Sequence, residues 1–124
     1  MKLQDFLSKS YPSSSYIDED GWDSLYLRKS PITFFIDGKP HPIKKVITFA
    51  NIAAKKPGNG LFSKLVQEFV SDEWAIFVEC VHNVRLQQFL RRKGYFEIKM
   101  EGVPNFLFNY ESQLNFADIH VFDK

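Results

Sequence analysis

The run Lys55-Lys56-Pro57-Gly58-Asn59-Gly60 places two cations and two glycines within six residues. These types suit a polyanion: glycine lets a phosphate approach main-chain N–H groups, and the lysines answer further negative charge. Before it comes KKVITFANI, which reads as a strand; after it comes LFSKLVQEFV, which reads as a helix. The loop therefore opens a helix whose first N–H groups have no intrahelical acceptor and carry the positive end of the dipole. The spacing matches neither G-x-x-x-x-G-K-[ST] nor G-x-G-x-x-G, so the P-loop and dinucleotide fingerprints are both absent. Pro-Gly-Asn-Gly also suits an ordinary tight turn. The residues alone leave both readings open.

Other chemistry gathers downstream. Glu79 ends the apolar run Trp74-Ala75-Ile76-Phe77-Val78 and is a candidate general base; the alternative is a salt bridge to Arg85 or a lysine. Cys80 is a candidate nucleophile or a small buried filler. His82 is a candidate proton shuttle or a surface-loop residue. His41 and His120 have no partner at metal-ligand spacing, so no metal site is expected. Arg91-Arg92-Lys93 closes a helix, where cations meet the dipole, and with Arg85 it can also meet an acidic partner or nucleic acid.

The elements that must position these groups follow from periodicity. Leu3, Phe6 and Leu7 mark a short helix over residues 1–10, broken by Tyr11-Pro12-Ser13-Ser14-Ser15. Asp18-Glu19-Asp20-Gly21 reads as a solvated turn. Strands are expected at Asp23 to Lys29 and Ile32 to Ile36, then an irregular loop through Gly38, Pro40 and Pro42. Lys44 to Ala53 reads as a central strand, with Val46, Ala50 and Ile52 on one face and Ile47, Phe49 and Ala53 on the other. Phe62, Leu65, Val66 and Phe69 give an amphipathic helix over Leu61 to Ser71.

Trp74 to Glu79 is the next strand, parallel to the first because a helix crosses between them. A second helix spans Asn83 to Lys93, with Asn83 as N-cap and Gly94 at the left-handed C′ position. Tyr95 to Met100 and Phe106 to Tyr110 form a hairpin around Gly102-Val103-Pro104-Asn105, and residues 115–122 read as a last strand. The fold class is α+β: one domain over 1–124, a mixed sheet flanked by helices around a central β-loop-α-β-α-β unit.

Composition bounds the classes. The 124 residues are 44% hydrophobic with 13 Phe, enough for a real core. Lys+Arg of 16 against Asp+Glu of 15 gives net +1, so global charge does not advertise a nucleic-acid binder. A single cysteine rules out an internal disulfide and fits a reducing compartment. The N-terminus lacks an apolar signal region, and no run approaches the ~20 apolar residues that span a bilayer. A cytoplasmic location without membrane contact is expected.

Taken with their order, these segments resemble the GNAT superfamily of acyl-CoA-dependent N-acyltransferases. KKPGNG resembles that family's [QR]-x-x-G-x-[GA] motif, with Lys55 where the family has Gln or Arg. WAIFVECVHNVRLQQFLRRKGY resembles its following strand and helix, including an Asn near the helix start and a Gly-aromatic pair, here Asn83 and Gly94-Tyr95. The resemblance covers residues 44 to 99. It implies that Lys55, Lys56, Gly58, Asn59 and Gly60 surround the pyrophosphate of acetyl-CoA. It also implies that Asn51 and Ile52 offer strand backbone to the pantetheine arm between two splayed central strands, and that Asn83 touches the arm or the thioester. The implied function is an acetyl-CoA-dependent N-acetyltransferase, in which the amine of a small molecule or protein attacks the thioester directly. The family often has a Tyr seven residues after the Asn as general acid; that position is Leu90. Leu90 keeps one alternative open, a catalytically inactive GNAT-like binding or structural protein; a further alternative, suited by the small size, is a phage-type GNAT-like protein acting on nucleic acid.

Overall fold

A computed structural model describes residues 1–36, 38–56, 58 and 60–108, in the order α1 (Leu3–Ser8), β1 (Ser13–Tyr16), β2 (Trp22–Ile36), β3 (Lys39–Ala54), α2 (Leu61–Ser71), β4 (Ala75–Val78), α3 (Val84–Arg92), β5 (Phe96–Met100) and β6 (Val103–Phe108). The fold is α+β. Six strands form one mixed sheet in the order β1-β2-β3-β4-β6-β5. Only β3 and β4 run parallel, joined through α2; the other neighbours are antiparallel. The parallel pair is the expected β-α-β crossover. The strand read over residues 115–122, and Asn109-Tyr110 at the end of the last hairpin, lie outside the described residues.

Several local expectations change. Ser13–Tyr16 is not a break but a strand, paired with Lys29 to Tyr26 of β2. A polar edge strand needs only backbone partners, so it leaves no apolar alternation to find. Asp23 to Lys29 and Ile32 to Ile36 are one long strand with a register shift at Ser30/Ile32. β3 starts at Lys39 rather than after an irregular loop. Pro40 and Pro42 fit because, among the described residues, that half of β3 pairs with β2 alone, so their missing N–H groups can face away from the ladder. Pro104 and Asn105 likewise belong to β6, and the turn is at Glu101-Gly102.

The most consequential change lies inside β3. Tyr26 pairs with Asn51 and Leu27 with Phe49, so one residue on β2 is matched by two on β3, and Ala50 is the extra residue of a β-bulge. The bulge resets the alternation. Ile52 pairs with Leu25 and packs against the same core as Phe49, on the opposite face from that expected by counting in twos from Val46.

The sheet has two unlike faces. On one, Leu25, Leu27, Ile47, Phe49, Ile76 and Phe106 receive all three helices, through Phe6 of α1, Leu65 and Phe69 of α2, and Leu90 of α3. Among the described residues the helices flank the sheet on this face. On the other face Val46, Phe77 and Leu107 pack with Phe34 of β2, whose ring meets Phe77 edge-on at 5.1 Å. The shift at Ser30/Ile32 lets the outer half of the β2–β3 hairpin bend across β3 to that face.

Local signals fix the helix ends. Asn83 Oδ1 accepts from the Leu86 N–H at 2.9 Å, capping α3. At its other end the Gly94 N–H donates to Arg91 O and the Tyr95 N–H to Leu90 O, with Gly94 at φ 84, a Schellman motif. Tyr95 lands against the core, where burial pushes its phenol pKa well above the usual tyrosine range. Ionisation then favours unfolding: the unfolded phenol loses its proton from about pH 10 and the folded one does not, so stability falls as pH rises past 10. Tyr95→Phe should flatten that fall, by about 1.4 kcal/mol per pH unit above 10 relative to wild type. Urea midpoints at pH 9, 10 and 11 measure it; parallel slopes for the two proteins would refute it.

Candidate functional site

β3 and β4 pair from Val46↔Ala75 to Phe49↔Val78 and no further. Their last link is the Glu79 N–H, which donates to Phe49 O at 3.2 Å. Beyond it Asn51, Ile52, Ala53 and Ala54 stay with β2. The chain after Val78 turns instead toward β6: the Cys80 N–H donates to Asn105 Oδ1 at 2.9 Å and the Val81 N–H to Pro104 O at 2.9 Å. The two central strands therefore part, and the bulge at Ala50 sits where they do so. Ile52 shares a face with Phe49, so its N–H and C=O point as those of Phe49 do, toward β4. Among the described residues no strand receives them.

Beyond β3 the chain passes through Lys55, Lys56, Gly58 and Gly60 into α2. The Lys55 N–H donates to Gly21 O at 2.8 Å, anchoring the loop, while Lys55, Lys56, Gly58 and Gly60 are exposed. Gly58 (φ 91) and Gly60 (φ 77) both lie in the left-handed region, and a Cβ built on either meets nothing within 4 Å. Gly60, which has no side chain, is the N-cap of α2; among the described residues no side chain caps that end, and its first turn holds no acidic residue. A helix start with uncapped N–H groups, two glycines and two lysines suits an anion. Asn59 lies outside the described residues.

The other wall holds the remaining candidates. Glu79 meets Arg28 of β2, with Arg28 Nη1 donating to Oε2 at 3.4 Å and Nη2 to Oε1 at 3.3 Å. Its ion-pair partner lies 51 residues back in the sequence and is neither Arg85 nor a lysine. Asn83 is exposed, but its carbonyl oxygen is committed to the α3 cap, leaving only its NH₂ for a ligand. Cys80 is exposed rather than buried, at φ 54, a left-handed position for a residue with a Cβ. His82 is exposed. Leu90 is fully buried in the core under α3, so residue 90 does not face the opening.

Asn105, read from sequence as a turn residue, is instead a buried junction. Its Nδ2 donates to Ile98 O and Val103 O, both at 3.1 Å, while its Oδ1 takes the Cys80 N–H. Only the spacing of a polar side chain between apolar neighbours in β6 hinted at it. Arg91 is occupied structurally: Nε and Nη2 reach the Glu97 carboxylate at 2.8 and 3.0 Å, and the pair holds the Glu97 pKa below the usual carboxylate range. A groove of about 400 Å³ between α2 and α3, lined by Phe62, Val66, Phe89, Tyr95 and Phe108 among others, shares α2 with the site but is not lined by Asn51, Lys55 or Lys56. Among the described residues no group of three His, Cys, Asp or Glu can hold a metal, and no helix is long and apolar enough to cross a membrane. Comparison with family models, curated proteins and solved structures returned no match.

Proposed function

We propose that the protein is an acyl-CoA-dependent N-acyltransferase of GNAT-like fold, moving an acetyl group from acetyl-CoA to an amine. The carrying observation is the opening between β3 and β4, with the Ala50 bulge at its apex and the uncapped start of α2 at its side. The parallel pair β3–β4, joined through α2, supports the same reading. Ile52 would give the pantetheine arm main-chain partners, as an added strand would. The α2 N-terminus, Gly58, Gly60, Lys55 and Lys56, with Asn59, would hold the pyrophosphate, and Asn51, whose strand partner is Tyr26, would flank the pantetheine arm beside Ile52. Bound acetyl-CoA supplies an activated acyl group; the chain supplies orientation and proton handling. Glu79 is the base, which requires its carboxylate to leave Arg28. The leaving thiolate takes its proton from water or a residue other than Leu90, which is sealed in the core.

Charge at the loop tests this reading. Asp and Asn are among the side chains best tolerated at left-handed φ, so Gly60→Asn carries the backbone strain without charge and Gly60→Asp adds the charge. In calorimetric titrations with acetyl-CoA, both variants lose the close approach that glycine allows, and Gly60→Asp is expected to bind at least tenfold more weakly than Gly60→Asn, a difference of about 1.4 kcal/mol. No binding by wild type refutes the reading. Buried Leu90 favours a second reading, a GNAT-like protein that binds without turnover; it holds if acetyl-CoA binds and no amine is acetylated.

A further inference from the structure

The face of the sheet opposite α1, α2 and α3 carries a second set of groups beside the opening. Tyr16 and Tyr26 stand opposite each other on β1 and β2, ring centroids 4.7 Å apart, and Tyr16 is 61% exposed. Asn51 lies opposite Tyr26 on β3. Two residues along β2, on the same face, Arg28 reaches across β3 to Glu79. Thr48 lies opposite Arg28 in the strand being crossed; its Oγ1 is buried and has no partner among the described residues.

The Arg28–Glu79 pair is loosely closed. Its contacts of 3.3 and 3.4 Å compare with 2.8 and 3.0 Å in Arg91–Glu97, although charge-assisted bonds between a guanidinium and a carboxylate settle near 2.7–2.9 Å. A tie between β2 and β4 explains the pair. It explains neither the exposed tyrosine beside it nor the unpartnered hydroxyl beneath it. Two opposite charges that part to admit one molecule need a ligand carrying both complements, close together. An aromatic pair at one end needs a flat apolar group.

We propose that this face binds a free aromatic α-amino acid, its carboxylate on Arg28, its ammonium on Glu79 and its ring against Tyr16 and Tyr26. The site rests on the acyltransfer reading in one respect: the Glu79 N–H is the last link between β3 and β4, so the bound amine sits at the mouth of the opening and is the acyl acceptor. In that transfer the N–C bond forms as the C–S bond of the acyl-CoA thioester breaks. The ammonium gives up two protons, one ending on the thiolate and one in solvent. A ligand lacking either charge leaves one protein charge without its partner.

The full chain is titrated by calorimetry with L-phenylalanine, phenethylamine and 3-phenylpropionate, with and without acetyl-CoA. L-Phenylalanine is expected to bind at least tenfold more tightly than either analogue. Arg28→Gln should erase its advantage over phenethylamine, and Glu79→Gln its advantage over 3-phenylpropionate. Tyr16→Ala, at an exposed position on an edge strand, should weaken L-phenylalanine at least threefold while lowering the urea midpoint only slightly, through the lost ring contact with Tyr26, an arm that stands even where loss of the ion pair unfolds the protein. Equal affinity for all three ligands, no binding of any, or an unaffected Tyr16→Ala overturns the proposal. Acetyl-CoA binding without L-phenylalanine binding removes the amino-acid site and keeps the donor site; the reverse result does the opposite.

Discussion

Asn105→Ala is expected to lower unfolding stability by about 3 kcal/mol, because three groups lose their partners at once: the Cys80 N–H and the carbonyls of Ile98 and Val103. Each group left unsatisfied in a buried place costs about 1–3 kcal/mol, and the carbonyls recover part of that from solvent. The loss is large against a total of roughly 5–15 kcal/mol for a domain. Asn105→Asp should do no better at neutral pH, since it keeps an acceptor for Cys80 but turns a double donor into lone pairs facing two carbonyls. The strain beside it has the opposite sign. Cys80 at φ 54 is held left-handed, so Cys80→Gly should be neutral or stabilise by up to about 1 kcal/mol. Urea unfolding of the three variants decides the matter. A loss under 1 kcal/mol for Asn105→Ala would mean that the turn after β4 is held by other contacts.

What the chain reveals before folding divides along the same line as these contacts, local against distant. α2 was legible to the residue, since Phe62, Leu65, Val66 and Phe69 recur at helical spacing whatever lies beneath them. The α3 cap and the Gly94 stop were legible for the same reason: each is settled within a few residues. The parallel pairing of β3 and β4 followed from the crossover. The opening beside them was not readable in position, because it depends on a bulge that leaves no mark on composition. Val46 to Ile52 looks like an unbroken alternating strand, and only the pairing with Tyr26 and Leu27 shows that Ala50 is extra. Arg28 escaped notice as the partner of Glu79 because the strand crossing that joins them exists only in the sheet. β1 was hidden too, as Ser13-Ser14-Ser15-Tyr16 joins the sheet through its backbone.

Deleting Ala50 is expected to preserve the fold and abolish acetyl-CoA binding. Without it Phe49 is followed directly by Asn51, whose side chain already lies on the opposite face, and then by Ile52 on the face of Phe49. The core contact of Ile52 and the pairs Phe49↔Leu27, Asn51↔Tyr26 and Ile52↔Leu25 all survive with no residue skipped. What disappears is the bend and added twist that an unpaired residue forces on its strand. β3 can then continue beside the chain that follows Val78, and the N–H and C=O of Ile52, which no described strand receives, meet main chain there instead of a ligand. The urea midpoint should hold or rise. The acetyl-CoA dissociation constant should increase at least thirtyfold, about 2 kcal/mol. A deletion variant with native-like amide spectra that binds acetyl-CoA as wild type does would show that the parted strands are not where the donor lies. One that loses binding while keeping its stability would show that β3 is bent for a ligand rather than for the fold, since a bend the fold needed could not be removed without a loss in stability.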